Sequence, residues 1–237
     1  RMTDPVTAGL DPLGRWRRLA GDAVLLDGFH ALKHAVRFGA EIPVAVAVDR
    51  GAALALAGEL APDVREALDG LLTEVKEATY ASLVPRPHPT AVAALAVRPS
   101  REAQLDRLGQ ASRATPVVVL DNPRNLGNAG AVIRPAAGFG ATGVGTTGTL
   151  DPWHPTVVRG GAGLHFATAV ERLTVDELPA GPGFAPHPEG GDIPGVELPD
   201  DPPLAVRSER SGLPPEPRPG ADRLLPPAVC PHGPPYQ

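Results

Sequence analysis

The chain has 237 residues, a net charge of −5, 42% hydrophobic and 21% charged residues, and only 4% aromatics. That is enough chain for one large or two ordinary domains with a core. A single Cys230 excludes an internal disulfide framework and suits a reducing cytoplasm; no apolar run approaches the ~18 residues of a membrane helix.

The charge is uneven. Residues 1–40 and 100–175 each carry +2, residues 41–99 carry −3, and the remainder carries −6. The mildly basic segments owe nearly all of their charge to arginine, the residue suited to bidentate phosphate contacts.

In chain order, "RWRR" (15–18) sets Arg15, Arg17 and Arg18 around Trp16. This reads equally as a nucleic-acid contact through phosphate pairing and stacking, or as a helix edge anchored by one tryptophan. "DAVLLDGFHALKHAVRFGAEI" (22–42) predicts a strand, a turn and an amphipathic helix with Leu32, Ala35 and Val36 on its apolar face. His30 and His34 stand at i, i+4 on that helix without a completing ligand set, so a solvated or RNA-facing polar strip is expected rather than a metal site. "IPVAVAVDR" is a strand, "AALALAGELAPDVREALDGLLTEV" two helices broken at Pro62, and "ATYASLV" and "AVAALAVRP" short strand-like runs. This alternation predicts a small α/β domain over residues 1–99. Residues 100–114 read as a partly helical linker, and a second α/β domain spans 115–237.

The second domain opens with "TPVVVLDNPRNLGNAGAVIRPAAGFGATGVGTTG". Strand, Asn/Gly-rich turn, then helix is where an anion or polar ligand meets free backbone N–H groups. "GFGATG" (138–143) matches G-x-G-x-x-G, but it follows a helix and opens a strand, the reverse of a dinucleotide fold. A nicotinamide oxidoreductase is therefore a minor alternative. Pro135 falls beyond the helical position that tolerates proline, and Gly145 interrupts the strand. Seventeen of the 30 prolines lie between Pro179 and Gln237, which reads as a disordered appendix, although "LAVRSERSGL" looks ordered.

"NAGAVIRPAAGFG" resembles the first motif of the SpoU/TrmH branch of the SPOUT RNA methyltransferases, through Asn128, Gly130, Ala131, Arg134, Ala136, Phe139 and Gly140. "PTVVRGGAGLHF" resembles the second motif through Pro155, Arg159, Ala162 and Gly163, and "RSERSGL" the third through Ser208, Glu209, Gly212 and Leu213. "LLDGFHALKHAVRFGA" resembles the L30e-like RNA-binding domain that precedes the catalytic domain in many members.

The resemblance implies an L30e-like α/β domain followed by a trefoil-knotted α/β domain that dimerises and binds S-adenosylmethionine. It also implies methylation of a ribose 2′-hydroxyl of rRNA or tRNA, without a metal. Carried over, Arg134 acts on the hydroxyl, Asn128 positions it, and Glu209 supports the site. The cofactor falls to Thr146, Thr147, Gly148, Arg207, Ser208, Gly212, Leu213 and Val229. RNA falls to Arg15, Arg17, Arg18, Lys33, Arg124 and Arg159. Two departures stand out. Arg207 replaces the glycine that opens the third motif, and prolines 226, 227, 231, 234 and 235 replace the closing helix. Impaired cofactor binding follows, or a non-catalytic RNA-binding homologue.

Overall fold

The computed structural model describes residues 11–110 and 115–179, together with the strand backbones 183–186, 203–207 and 221–225. Helix α1 (Pro12–Leu19) starts where the Asp11 carboxylate accepts the Gly14 N–H at 2.7 Å and Pro12 takes the first helical position. Trp16 points inward. It is 2% exposed and packs with Val44, Val46, Tyr80 and Val84. Of the two readings of Trp16, this burial selects the anchored helix edge over stacking on nucleic acid: the indole is the apolar anchor that holds α1 to the sheet.

The first sheet is built from β1 (Val24–Asp27), α2 (Phe29–Arg37), β2 (Val44–Ala47), α3 (Arg50–Leu60), α4 (Arg65–Leu71), β3 (Leu72–Glu74), α5 (Glu77–Leu83) and β4 (Val92–Ala96). Its order is β1-β4-β2-β3, with β4 antiparallel to both neighbours and β2 parallel to β3. Pro62 breaks the two helices as expected. Two expectations fail. Leu72–Glu74 leaves the second helix to pair with β2, because an open strand edge outweighs helix propensity there. "ATYASL" is helical rather than extended: it is rich in alanine, starts with Glu77 in the first turn, and buries Tyr80.

Helix α6 (Arg101–Leu108), capped by Ser100, leads to the second sheet. That sheet contains β5 (Val117–Asp121), α7 (Leu126–Gly138), β6 (Gly143–Thr146), α8 (Pro155–Gly160), β7 (Ala169–Arg172), β8 (Gly183–Pro186), β9 (Pro203–Arg207) and β10 (Ala221–Leu225). All pairs are parallel, in the order β10-β8-β9-β5-β6-β7. The run Val117–Leu120 is buried throughout, as a central parallel strand should be. The Pro-rich region thus supplies β9, which pairs directly with β5.

Two expected flaws take different forms. Gly145 does not break β6, because a Cβ there would lie 2.4 Å from Leu173 Cδ1, so the missing side chain is space that Leu173 fills. Helix α7 runs through Pro135, and its last turn still closes with Phe139 N–H donating to the Pro135 carbonyl at 2.8 Å. The ring forfeits the bond to the carbonyl four residues back.

The two sheets share one hydrophobic core. Leu26, Phe29 and Leu32 belong to the same buried cluster as Ile133, Trp153, Val157 and Val158. Each such side chain contributes about 1.5–3 kcal/mol by leaving water. Polar contacts reinforce the joint: His34 Nδ1 meets the Ala162 carbonyl at 2.7 Å, Arg159 donates to Asp27 at 3.0 Å, and Arg98 bridges to Asp151 and Glu171. At Gly163 (φ +73°) a Cβ would sit 2.5 Å from the Ala31 carbonyl, so only glycine permits this approach.

Candidate active site at the carboxyl ends of the parallel strands

Strand order in the second sheet reverses at β5. The chain proceeds from β5 outward to β6 and β7, then returns on the other side, where β9 pairs with β5. In an open parallel sheet such a reversal leaves a crevice beyond the carboxyl ends of the strands, where ligands bind. Here the ends are Asp121 of β5, Thr146 of β6 and Arg207 of β9, with Asp121 in register with Arg207.

Hydrogen bonds fix the turns around this crevice. The Thr147 hydroxyl donates to Asp121 Oδ1 at 2.7 Å and accepts the Asn122 N–H at 2.8 Å, while the Thr147 N–H donates to the Leu120 carbonyl. Asn122 takes a left-handed conformation (φ 49°), which asparagine tolerates better than most residues. Gly148 sits where a Cβ would come within 2.4 Å of Asn122 Oδ1. Thr146 is wholly buried, and its hydroxyl has no hydrogen-bond partner among the described residues. A buried hydroxyl without a partner is costly unless a ligand or another segment satisfies it. The rim fits a polar small molecule: one orphan hydroxyl, a side-chain-free Gly148, and turns pinned by Thr147.

Helix α7 leaves this crevice. Asn125 caps it, accepting the Asn128 N–H on Oδ1 at 3.0 Å. Asn128 and Arg134 are both exposed. Six helical residues separate them by about 9 Å and about 120°, so each meets a ligand by itself and the two do not pair. Close packing sets the helix in place: a Cβ at Gly130 would fall 2.6 Å from the Val157 carbonyl and 2.9 Å from Gly160 Cα. Helices α7 and α8 therefore meet backbone to backbone. Phe139, at the end of α7, is 90% exposed.

The expected RNA contacts divide by environment. Arg17, Arg18 and Arg124 are exposed, and Lys33 is half-buried on α2. Arg15 donates to the Pro43 carbonyl at 3.0 Å, and Arg159 is committed to Asp27. Burial pushes the Asp27 carboxyl above its usual range, against the opposing pull of Arg159 and the His88 N–H. On α2, partial burial lowers the pKa of His30, with Lys33, His88 and Arg134 adding to the shift. Lys33 is lowered by burial, then by Arg37 and Arg134, while Asp63 opposes. His34 is spent on the Ala162 carbonyl, and no metal-ligating group of three occurs among the described residues.

Ser208, Glu209, Gly212, Leu213 and Val229 lie outside the described residues, as do the closing prolines. Sequence reasoning missed Asp121, Asn122 and Asp27. The first two carried a signal, an Asp-Asn pair directly after a β-branched strand. Asp27 carried none, since its partner is 132 residues away.

Residues 115–225 match the model of the SpoU rRNA Methylase family. Among curated proteins, mitochondrial rRNA methyltransferase 3 of Mus musculus is 44% identical over 55 residues, covering 23% of this chain and 13% of that protein. Its Homo sapiens counterpart is 45% identical over 51 residues, covering 21% and 12%. The match thus spans about an eighth of the curated relatives' length. Among solved structures, an rRNA methyltransferase from Sinorhizobium meliloti aligns with a TM-score of 0.64 at 23% identity, over 96% of this chain and 88% of that one. The SpoU methyltransferase AviRb from Streptomyces viridochromogenes, in complex with AdoMet, aligns with a TM-score of 0.66 at 21% identity, over 92% and 86%. An RNA 2′-O ribose methyltransferase aligns with a TM-score of 0.62 at 23% identity, over 95% and 87%. At these identities the likeness is one of fold.

Proposed function

We propose, because residues 115–225 match the model of the SpoU rRNA Methylase family, that the chain transfers a methyl group from S-adenosylmethionine to a ribose 2′-hydroxyl of ribosomal or transfer RNA. One observation carries this reading. The segment that matches the family ends its strands at the reversal of the second sheet, where Thr146 presents a buried hydroxyl without a partner.

When bound, the cofactor supplies a methyl group on a positively charged sulfur. Thr146, Thr147, Gly148 and the backbone that ends β9 at Arg207 would hold it, and alignment would then provide much of the acceleration, since the transfer is an in-line displacement. A 2′-hydroxyl is a poor nucleophile until it loses its proton. A guanidinium is protonated at any physiological pH, so Arg134 serves as the cation that stabilises the developing alkoxide. The proton goes to a water or a phosphate oxygen of the RNA. Asn128, in the first turn of α7, offers its amide to the nucleotide independently.

The L30e-like first domain (1–99), the helical joint (100–114) and the methyltransferase domain (115–237), knotted and homodimeric, complete the proposal. Cys230, the single cysteine, supports a reducing compartment such as the cytoplasm. A second reading, a homologue that binds RNA without transferring methyl groups, is favoured by Arg207 at the crevice.

Incubation of ribosomal and transfer RNA with the protein and S-adenosylmethionine labelled on the methyl group tests the main reading. Label on RNA, at a linkage that has become resistant to alkali, is expected. RNA binding without label, and without calorimetric binding of the cofactor, selects the second reading.

A further inference from the structure

Asp27 ends β1 with its carboxylate buried at the joint between the two units. Two constraints hold it from the side of the first sheet. Its backbone stands in register with Ala93 of β4, and its Oδ1 accepts the His88 N–H at 3.2 Å. Oδ2 accepts a hydrogen bond from Arg159 Nη1 at 3.0 Å, and the same nitrogen reaches the Arg86 carbonyl at 3.4 Å. Arg159 is the penultimate residue of α8, so the first sheet grips that helix at its carboxyl end. Val157 and Val158 fix the rest of α8 in the core shared with Leu26 and Phe29.

The same helix carries α7. A Cβ at Gly160 would come within 3.4 Å of Gly130 Cα and 3.5 Å of the Gly127 carbonyl oxygen, and one at Gly130 would strike the Val157 carbonyl. No side chain stands between these backbones to absorb a shift by changing rotamer, and a close-packed interior transmits displacement. Gly127 and Gly130, the residues of α7 seated on α8, flank Asn128, and Arg134 follows about one turn after Gly130. A continuous line of contacts thus runs from Asp27 through Arg159 and α8 to the two turns of α7 that bear Asn128 and Arg134.

We propose that Asp27 is a positioning residue for methyl transfer, setting through Arg159 and α8 the place of Arg134 and Asn128 at the crevice. The inference rests on the functional reading above and deepens it. The first unit then takes part in the chemical step without touching RNA there, because Asp27 is covered by the groups it binds. Misplacement of a reacting group by about 1 Å can cost about 10²-fold in rate, so a small relaxation of α8 is visible in kcat.

The test compares the full chain with three variants in methyl transfer from labelled S-adenosylmethionine to ribosomal RNA. RNA binding is followed by anisotropy, cofactor binding by calorimetry, and rates are taken per RNA-binding site so that unfolded chain does not count. Asp27→Ala is expected to lower kcat about tenfold. KM for RNA and both affinities should stay unchanged, the pattern of an interaction that acts only in the transition state. Asp27→Asn, which keeps an oxygen for Arg159, is expected to recover most of kcat. Arg159→Lys keeps a cation for the buried carboxylate but lacks the planar guanidinium; its kcat should fall by less than that of Asp27→Ala, again at unchanged RNA affinity. Undiminished kcat per binding site in Arg159→Lys or Asp27→Ala overturns the positioning role and leaves the functional reading standing. So does a loss of RNA affinity that accounts for the whole fall in kcat/KM. Absence of methyl transfer by the unsubstituted protein removes the functional reading, and the positioning role with it.

Discussion

Arg159 donates a hydrogen bond to Asp27 across 3.0 Å and 132 residues of sequence, and through it the segment that matches the SpoU family model grips the first sheet. Asp27 is almost wholly buried, while Arg159 keeps 40% of its side chain in solvent. Removing the exposed partner leaves the buried one unpaired, which is the costly direction. Arg159→Ala should destabilise the chain by about 3 kcal/mol, and Asp27→Asn by less, since the amide still accepts the His88 N–H. Urea unfolding of the three proteins reads this directly. Equal losses from the two substitutions would contradict the asymmetry.

Gly130 and Gly163 are positions where the smallest side chain is one atom too many. At Gly130 the obstacles are backbone atoms of α8, which cannot rotate away. Gly130→Ala should cost about 1–3 kcal/mol by overpacking and shift α7, so methyl transfer should fall further than stability does. Gly163→Ala combines the same crowding with a left-handed backbone. Amide hydrogen exchange should then show faster exchange at α2 and at 161–166 together. Faster exchange confined to one side would mean that the two units are not held by this contact.

How much of this was legible in the sequence depends on where each partner sits along the chain. Strand β5, the Asn-rich turn and α7 follow one another within 25 residues, so periodicity and turn chemistry disclose them. The orientation that rejects a dinucleotide site was readable for the same reason. Trp16 was ambiguous because burial by Val44 and Tyr80 is a tertiary fact. Strand β3 was invisible because three residues carry too little pattern, and only the open edge of β2 makes them extended. Gly145 looked like a breaker until Leu173 supplied the atoms that fill its place. Most of β9 was legible, since "LAVRSERSGL" looks ordered, whereas β8 and β10 were hidden in a region whose prolines read as coil.

Arg134 is exposed on α7. Arg134→Ala should therefore leave thermal stability nearly unchanged. Methyl transfer should fall by about 10²–10³, the scale seen when one stabilising donor is removed, with RNA affinity within a few-fold. Full activity in this variant would remove Arg134 from the chemistry. Arg207 makes the complementary case, since it ends β9 beside Asp121 at the crevice. Arg207→Gly should tighten S-adenosylmethionine binding measured by calorimetry. Unchanged affinity would mean that a side chain there does not crowd the cofactor.

His165 sets a pH dependence of stability. It is 1% exposed, its Nε2 donates to the Pro152 carbonyl at 2.9 Å, and its Nδ1 has no partner among the described residues. Burial lowers its pKa from 6.5 to about 4, the Pro152 and Asp151 contributions opposing only in part. The native ring thus stays neutral where an unfolded one takes up a proton. A depressed folded-state pKa contributes stability that is complete above pH 6.5 and is lost as the pH falls toward 4. The loss approaches about 1.4 kcal/mol per pH unit across that window, about 3 kcal/mol in all. Trp153 reports on it, its ring centre being 5.2 Å from that of His165. Guanidinium unfolding followed by tryptophan fluorescence should show this decline, and His165→Phe should remove it while leaving the contribution of the carboxylates. Parallel stability curves for the two proteins between pH 6.5 and pH 4 would show that His165 does not carry the dependence.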